Sequence, residues 1–230
     1  VGDAALSTSN SQSYNIIPSD ISPYVPQYVG KQIANNFSMT FDGLNDYFNT
    51  NGTLASNLDF SVSAWINPTS YDTAILGTRT LISASTSNGI TMNINSSGNL
   101  WGRIFTQTSN ITQIETGSTI SLNNWSHVAM TYDSSSKTLK TYLNGSEVGS
   151  VAGSASSVAS TADLDVGRAS IGSIYDYFPG KIDEVAIFDT ALNAGQIYND
   201  IYQPTSTGTN QTADLVNNPN LPTPIAWYRM

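Results

Sequence analysis

The run Trp125-Ser-His-Val-Ala-Met-Thr-Tyr-Asp133, followed by a polar turn and Leu139-Lys-Thr-Tyr-Leu-Asn-Gly145, constrains this chain more than any other stretch. In the first segment Val128, Met130 and Tyr132 alternate with Ala129 and Thr131, the period of two that marks a half-buried strand. In the second, Leu139, Thr141 and Leu143 alternate with Thr138, Lys140 and Tyr142. It ends in Asn144-Gly145, the residue pair best able to take positive φ in a tight hairpin turn. The expectation is two antiparallel strands, the first of them central in its sheet.

The same period recurs upstream. Phe37, Met39 and Phe41 fall on one face of a first strand. Leu58, Phe60, Val62, Ala64 and Ile66 fall on the inner face of a second, with Trp65 on its other face and Pro68 closing it. Short strands are expected at 80–85, 90–94, 100–105 and 111–115, set apart by the turn-forming clusters Ser87-Asn-Gly89 and Ser96-Ser-Gly-Asn99. From 146 to 162 the chain is Gly, Ser, Ala and Val, which defines no register, and strand character returns at 162–168 and 177–189. Asn193-Ala-Gly-Gln196 then has the form of a capping box, and Ile197 and Ile201 lie one turn apart, so one short helix is expected. Short strands at this spacing predict an all-β fold over residues 37–202: a two-sheet antiparallel jelly-roll sandwich with one short C-terminal helix.

Two extended arms flank that core. In residues 1–36, Pro18, Pro23 and Pro26 exclude regular structure, yet Tyr14, Ile16, Ile17, Ile21, Tyr24, Val25, Tyr28 and Val29 are too apolar for a solvated linker. Residues 14–29 therefore read as an arm that docks, either on its own sandwich or on a second copy or other surface protein. Residues 203–230 read as a linker and terminal strand, Ile225-Ala-Trp-Tyr-Arg-Met230, which either opens a second module or completes the first.

Several motifs carry a family resemblance. Phe41-Asp-Gly-Leu-Asn-Asp-Tyr47, Trp125-x-His127-Val-Ala-x-Thr131-Tyr-Asp133, Tyr142-Leu-Asn-Gly145 and Gly180-x-Ile182-Asp-Glu-Val-x-Ile187-Phe188 occur in the order seen in laminin-G-like jelly rolls. The chain thus resembles members of the concanavalin A-like lectin and glucanase superfamily. With its proline-punctuated leader it also resembles modules in structural proteins of marine tailed phages and in bacterial surface adhesins. The resemblance implies a jelly roll, a possible calcium ion at a sandwich edge and a setting on a virion or cell surface.

Composition narrows the function. With 17 acidic and 8 basic residues the net charge is −9, which opposes binding to nucleic acid phosphates. Cysteine is absent, so thiolate metal sites and disulfides are excluded. No run reaches the ~18 apolar residues of a membrane helix, and the start Val1-Gly-Asp-Ala-Ala-Leu-Ser carries no signal-peptide pattern.

Of the candidate chemistries, glycoside hydrolysis needs two convergent carboxyls. Glu115, Glu147 and Glu184 show no such spacing, and the adjacent Asp183 and Glu184 would point to opposite faces of a strand. His127 is the sole histidine and reads as packed within a strand. Calcium, a hard cation needing several oxygens, has candidates in Asp42, Asp46 and Asp183. The last shares strand parity with Val185 and Ile187 and so is expected to point inward. Glycan binding needs aromatic platforms beside polar groups, and Trp101, Tyr175 and Tyr177 are the candidates. The expected function is a non-enzymatic surface module, a virion decoration or fibre component with glycan binding; the alternatives are a glycoside hydrolase and a bacterial adhesin.

Overall fold

The computed structural model describes residues 32–34, 38–53, 59–78, 80–83, 86–105, 111–153, 163–171, 174–203 and 211–229. The expected docking arm at 14–29 lies outside them. Two seven-stranded antiparallel sheets form a sandwich. Sheet I runs in spatial order β12 (Ser146–Ala152), β11 (Thr138–Leu143), β10 (Ser126–Asp133), β4 (Phe60–Pro68), β16 (Pro179–Phe188) and β18 (Ala226–Tyr228). Its seventh strand, β2 (Met39–Asp42), pairs with the first half of β16. Sheet II runs β3 (Phe48–Thr53), β13 (Asp163–Val166), β5 (Thr73–Gly77), β7 (Thr86–Ile94), β8 (Asn99–Phe105) and β9 (Ile111–Thr119), with β6 (Thr80–Ser83) on β7. Two short ribbons are added, β1 (Gln32–Ala34) with β17 (Gln211–Ala213), and β14 (Arg168–Ile171) with β15 (Ile174–Tyr177).

The alternation in the sequence places the core. Phe60, Val62, Ala64 and Ile66 on β4 stand beside Val128, Met130 and Tyr132 on β10, and sheet II faces them with Ile90, Met92, Ile94, Leu100 and Ile104. Fully burying a side chain of this size stabilises by ~1.5–3 kcal/mol. β10 is interior to its sheet, as its pattern predicts, and Asn144 and Gly145 take φ of 50° and 76° in the expected turn. Asn193 and Gln196 form the expected reciprocal cap, each backbone N–H donating to the other's side-chain oxygen at 3.0 Å. The helix they start, Gln196–Tyr202, is wound as a π-helix.

Three expectations are corrected. β10 is buried on both faces, not one. A second apolar cluster of Ala129, Tyr142, Ala186, Phe188, Leu192, Ile197, Ile201, Leu215 and Leu221 lies outside sheet I, where the helix and the chain after Ala213 cover it. Met39 is more than a third exposed, because β2 borders only half of β16 at the rim of the sheet.

The third correction concerns β16, whose register shifts by a bulge between Asp183 and Ala186, with Glu184 at φ 53°. An extra residue reverses the facing of everything beyond it. Asp183 pairs with the outward-facing Trp65, while Ile187 pairs with the inward Val62. Asp183 therefore does not point into the core with Ile187, and its carboxylate accepts the Glu184 N–H at 2.7 Å.

The terminal strand completes this sandwich. Ala226–Tyr228 pairs antiparallel with Val185–Ile187, and Trp227 donates its indole N–H to Glu184 Oε2 at 2.7 Å.

Candidate functional site

On sheet II, Leu100 and Ile104 point into the core, so Trp101 and Arg103 on the same strand point outward. Pairing extends that outward set. Thr91 stands opposite Gly77 and Arg103, Asn93 opposite Ala74 and Trp101, Glu115 opposite Trp101, and Asp165 opposite Gly77. The β14–β15 hairpin lies on this outer face. A Cβ on Gly77 would come within 2.8 Å of the Ala169 Cβ, so glycine there is what lets the hairpin approach. The Tyr177 carbonyl accepts the Thr73 hydroxyl at 2.8 Å and ties the hairpin down.

The flank of the hairpin over β8 brings an aromatic ring, an arginine and buried polar side chains together. Arg103 Cζ lies 3.1 Å from the centroid of the Trp101 ring, a guanidinium–indole stack. Asp176, on the hairpin, has its pKa raised by burial and by nearby Asp72, with Arg103 acting in the opposite direction. Thr91 and Asn93 are 0% and 3% exposed, and Thr91 Oγ1, Asn93 Oδ1 and Trp101 Nε1 have no hydrogen-bond partner among the described residues. Buried polar atoms cost free energy unless something satisfies them. Thr91 and Asn93 lie beneath the surface here, and the half-buried Trp101 ring is the part of this set that solvent reaches.

The opposite flank has a related arrangement. Arg168 Cζ lies 3.2 Å from the centroid of the Tyr47 ring, and its Nε donates to Asp165 Oδ2 at 2.7 Å. Asn49 Nδ2 donates to the other carboxylate oxygen at 2.8 Å. Desolvation works against the Arg168 charge, but hydrogen bonds to Asp165 and Tyr177 outweigh it and raise the pKa.

The two aromatic candidates whose side chains are described thus fall on different flanks, Trp101 over β8 and Tyr177 beside Arg168. Tyr175 is opposite Ser170 in the hairpin, and its side chain lies outside the described set. Thr91, Asn93, Arg103 and Asp176 were not anticipated. The spacing of Arg103 two residues after Trp101 on one strand was the signal available.

The three calcium candidates do not gather. Asp42 Oδ1 accepts the backbone N–H groups of Leu44 and Asn45, at 2.8 and 3.3 Å, and Asp46 Oδ2 accepts that of Asp42 at 3.1 Å. The Leu44 bond, then the Asn45 bond, holds the Asp42 pKa below its usual value. Asp42 pairs with Pro179, which leaves Asp183 four residues, about 13 Å, along the strand. These three residues do not fit one ion, and among the described residues no group of three His, Cys, Asp or Glu does.

The glutamates are dispersed as well. Glu115 lies on sheet II, Glu147 pairs with Lys140 at 2.9 Å on sheet I, and Glu184 is held by Trp227. His127 is packed on the far side of the molecule. It is 1% exposed, its ring centroid is 5.5 Å from that of Trp65 and 6.0 Å from that of Tyr202, and burial lowers its pKa to about 3.

Comparison with known proteins agrees with this architecture. Residues 41–198 match the family described as the concanavalin A-like lectin/glucanases superfamily. No curated protein matches the chain. Among solved structures, a putative carbohydrate binding protein from Bacteroides ovatus superposes with a TM-score of 0.57 at 18% identity, over 84% of this chain and 52% of that one. The CBM40 module of the Ruminococcus gnavus IT-sialidase, bound to α2,3 sialyllactose, gives 0.60 at 13% identity over 73% and 96%. Domain 4 of AbnA, an extracellular arabinanase of Geobacillus stearothermophilus, in complex with arabinotriose, gives 0.52 at 22% identity over 74% and 86%. This chain spans about half the length of the Bacteroides protein.

Proposed function

The chain belongs to the concanavalin A-like lectin/glucanase superfamily, and from that premise we propose that it is a non-enzymatic glycan-binding module. The observation that carries this reading is the Trp101–Arg103 stack on the outer face of sheet II, where the half-buried Trp101 ring reaches solvent. A sugar ring offers an apolar face to an aromatic side chain and hydroxyls to buried donors and acceptors. The solved relatives named as carbohydrate-binding, or solved with a saccharide, support the same reading. The scatter of Glu115, Glu147 and Glu184 leaves no glutamate pair across one bond and so supports binding, and Asp72 and Asp176, which interact, are the carboxyls that the hydrolase alternative would need.

Screening the protein and Trp101→Ala on a glycan array tests the reading. Binding by the parent that falls in the variant is expected; an array on which the parent binds nothing rejects it. Incubation with the bound polysaccharide tests the absence of hydrolysis, and reducing sugar released by the parent and lost in Glu115→Gln or Glu184→Gln would favour the hydrolase alternative.

The setting we propose is extracellular, on a virion or cell surface, as the sequence resemblance suggests. Mass spectrometry of purified particles and of cell envelopes checks it, and finding the protein only in cytosol rejects it. For calcium, our proposal is restricted to the Asp42–Asp46 turn. A melting temperature raised by calcium and lowered by chelator is expected, and no difference between the two removes the ion from the account.

A further inference from the structure

We propose that Tyr47, Asn49, Asp165 and Arg168 form a second sugar station, on the flank of the β14–β15 hairpin away from Trp101, and that both stations take uncharged saccharides. The inference rests on the glycan-binding reading and extends it to a second place and a ligand class.

The two flanks share a plan. Each has an aromatic ring with an arginine stacked on it, at 3.2 Å for Tyr47 and 3.1 Å for Trp101; Arg168 is in a direct ion pair with Asp165, and Asp176 lies within electrostatic reach of Arg103. Tyr47 is 43% exposed although Arg168 covers one side of its ring, so the platform is open to solvent. Register fixes the separation. Asp165, Gly77, Thr91 and Arg103 are consecutive partners across β13, β5, β7 and β8, which sets the two stations three strand spacings, about 14 Å, apart. Ala169 sits over Gly77 between them. One sugar ring cannot touch both, so each station contacts its own part of a longer glycan or its own glycan end.

Charge decides the class. Arg168 and Asp165 neutralise each other in a direct ion pair, with Asn49 on the remaining carboxylate oxygen. Asp176 opposes Arg103 on the other flank, and the whole chain carries −9. A carboxylated or sulfated sugar would have to displace the Arg168–Asp165 pair at the second station and approach a negative molecule at either. Neutral hydroxyls need only hydrogen bonds and a ring to lie on.

The test is calorimetry with neutral arabino-, xylo-, cello- and manno-oligosaccharides of increasing length, and with sialyllactose as the acidic probe. Parent protein, Trp101→Ala, Tyr47→Ala and the double variant are compared, with melting curves establishing that each is folded. Each single loss is expected to weaken binding of the longest neutral oligosaccharide about tenfold. The double variant is expected to abolish it, and Tyr47→Trp to retain it. If Trp101→Ala alone abolishes binding and Tyr47→Ala matches the parent, the second station is overturned and the glycan-binding reading stands. Tighter binding of sialyllactose than of every neutral probe overturns the ligand class. No binding to any probe or array glycan overturns the reading itself, and this inference with it.

Discussion

The two outer faces of the sandwich are built by the same strand alternation and meet opposite fates. Sheet I turns Trp65, His127, Ala129, Tyr142, Ala186 and Phe188 outward, and the π-helix and terminal segment seal them beneath Ile197, Ile201, Leu215 and Leu221. Sheet II turns Thr91, Asn93, Trp101, Arg103 and Asp165 outward, and among the described residues the four-residue strands of a hairpin lie on them, burying Thr91, Asn93 and Arg103 but leaving Trp101 half-buried. Apolar groups under a lid give stability and no recognition. Buried polar atoms without a partner among the described residues occur on both faces, at Ser63, His127 and Tyr142 on sheet I and at Thr91, Asn93 and Trp101 on sheet II. It is therefore the arginine–aromatic stacks, with rings that solvent reaches, that distinguish sheet II and that our proposal assigns to recognition.

The comparison breaks if the sealed face tolerates truncation. Phe188→Ala removes a fully buried ring there and should cost about 3–5 kcal/mol in a denaturant melt. Per mole of bound glycan, the folded fraction of that variant should bind as the parent does. Next in size is the latch on the terminal strand. Glu184→Ala deprives Trp227 of its acceptor and Arg229 of a carboxylate 3.6 Å away, and should cost about 2 kcal/mol by the same measurement.

His127 gives the sealed face a pH signature. Its folded pKa of about 3 lies below the value near 6.5 of an unfolded histidine, so protonation favours unfolding. Stability from this group is complete above pH 6.5 and is lost as pH falls toward 3, at up to ~1.4 kcal/mol per pH unit. Urea melts between pH 7 and about 5.5, above most of the carboxylate range, should show that slope, and His127→Phe should flatten it. The smallest stability effect belongs to the open face. Trp101→Ala should change the melt by only about 1 kcal/mol, the scale of a stacking contact, while weakening glycan binding. A large loss of stability there would mean that sheet II is sealed in the same sense as sheet I.

The sequence shows the inner faces plainly because they depend on local alternation: Val128, Met130 and Tyr132 on β10, and Phe60 to Ile66 on β4, pack where their parity puts them. The Asn144-Gly145 turn and the Asn193–Gln196 cap are local too, and both form. The bulge at Glu184 was not readable, because Ile182-Asp-Glu-Val-Ala-Ile187 contains no glycine or asparagine to announce a positive φ. Asp183 was therefore assigned to the wrong face. The double burial of β10 was equally hidden, since the residues that cover it come from beyond position 190. Of the candidate site, Trp101 was legible from its parity against Leu100 and Ile104, whereas Asp176, within electrostatic reach of Arg103, comes from a hairpin that only the tertiary structure lays across the sheet.

The four tryptophans test the central claim directly, because they sample both faces. Trp65 stacks on Tyr202 on the sealed side, Trp227 is bonded to Glu184, Trp125 is exposed in a loop, and Trp101 lies on the open face with its indole N–H unpartnered. Titrating 15N-labelled protein with the neutral oligosaccharide that binds most tightly, and following the four indole N–H signals, should move that of Trp101 while leaving those of Trp65 and Trp227 in place. Movement of Trp65 or Trp227 with Trp101 unchanged would contradict the assignment of the binding face to sheet II.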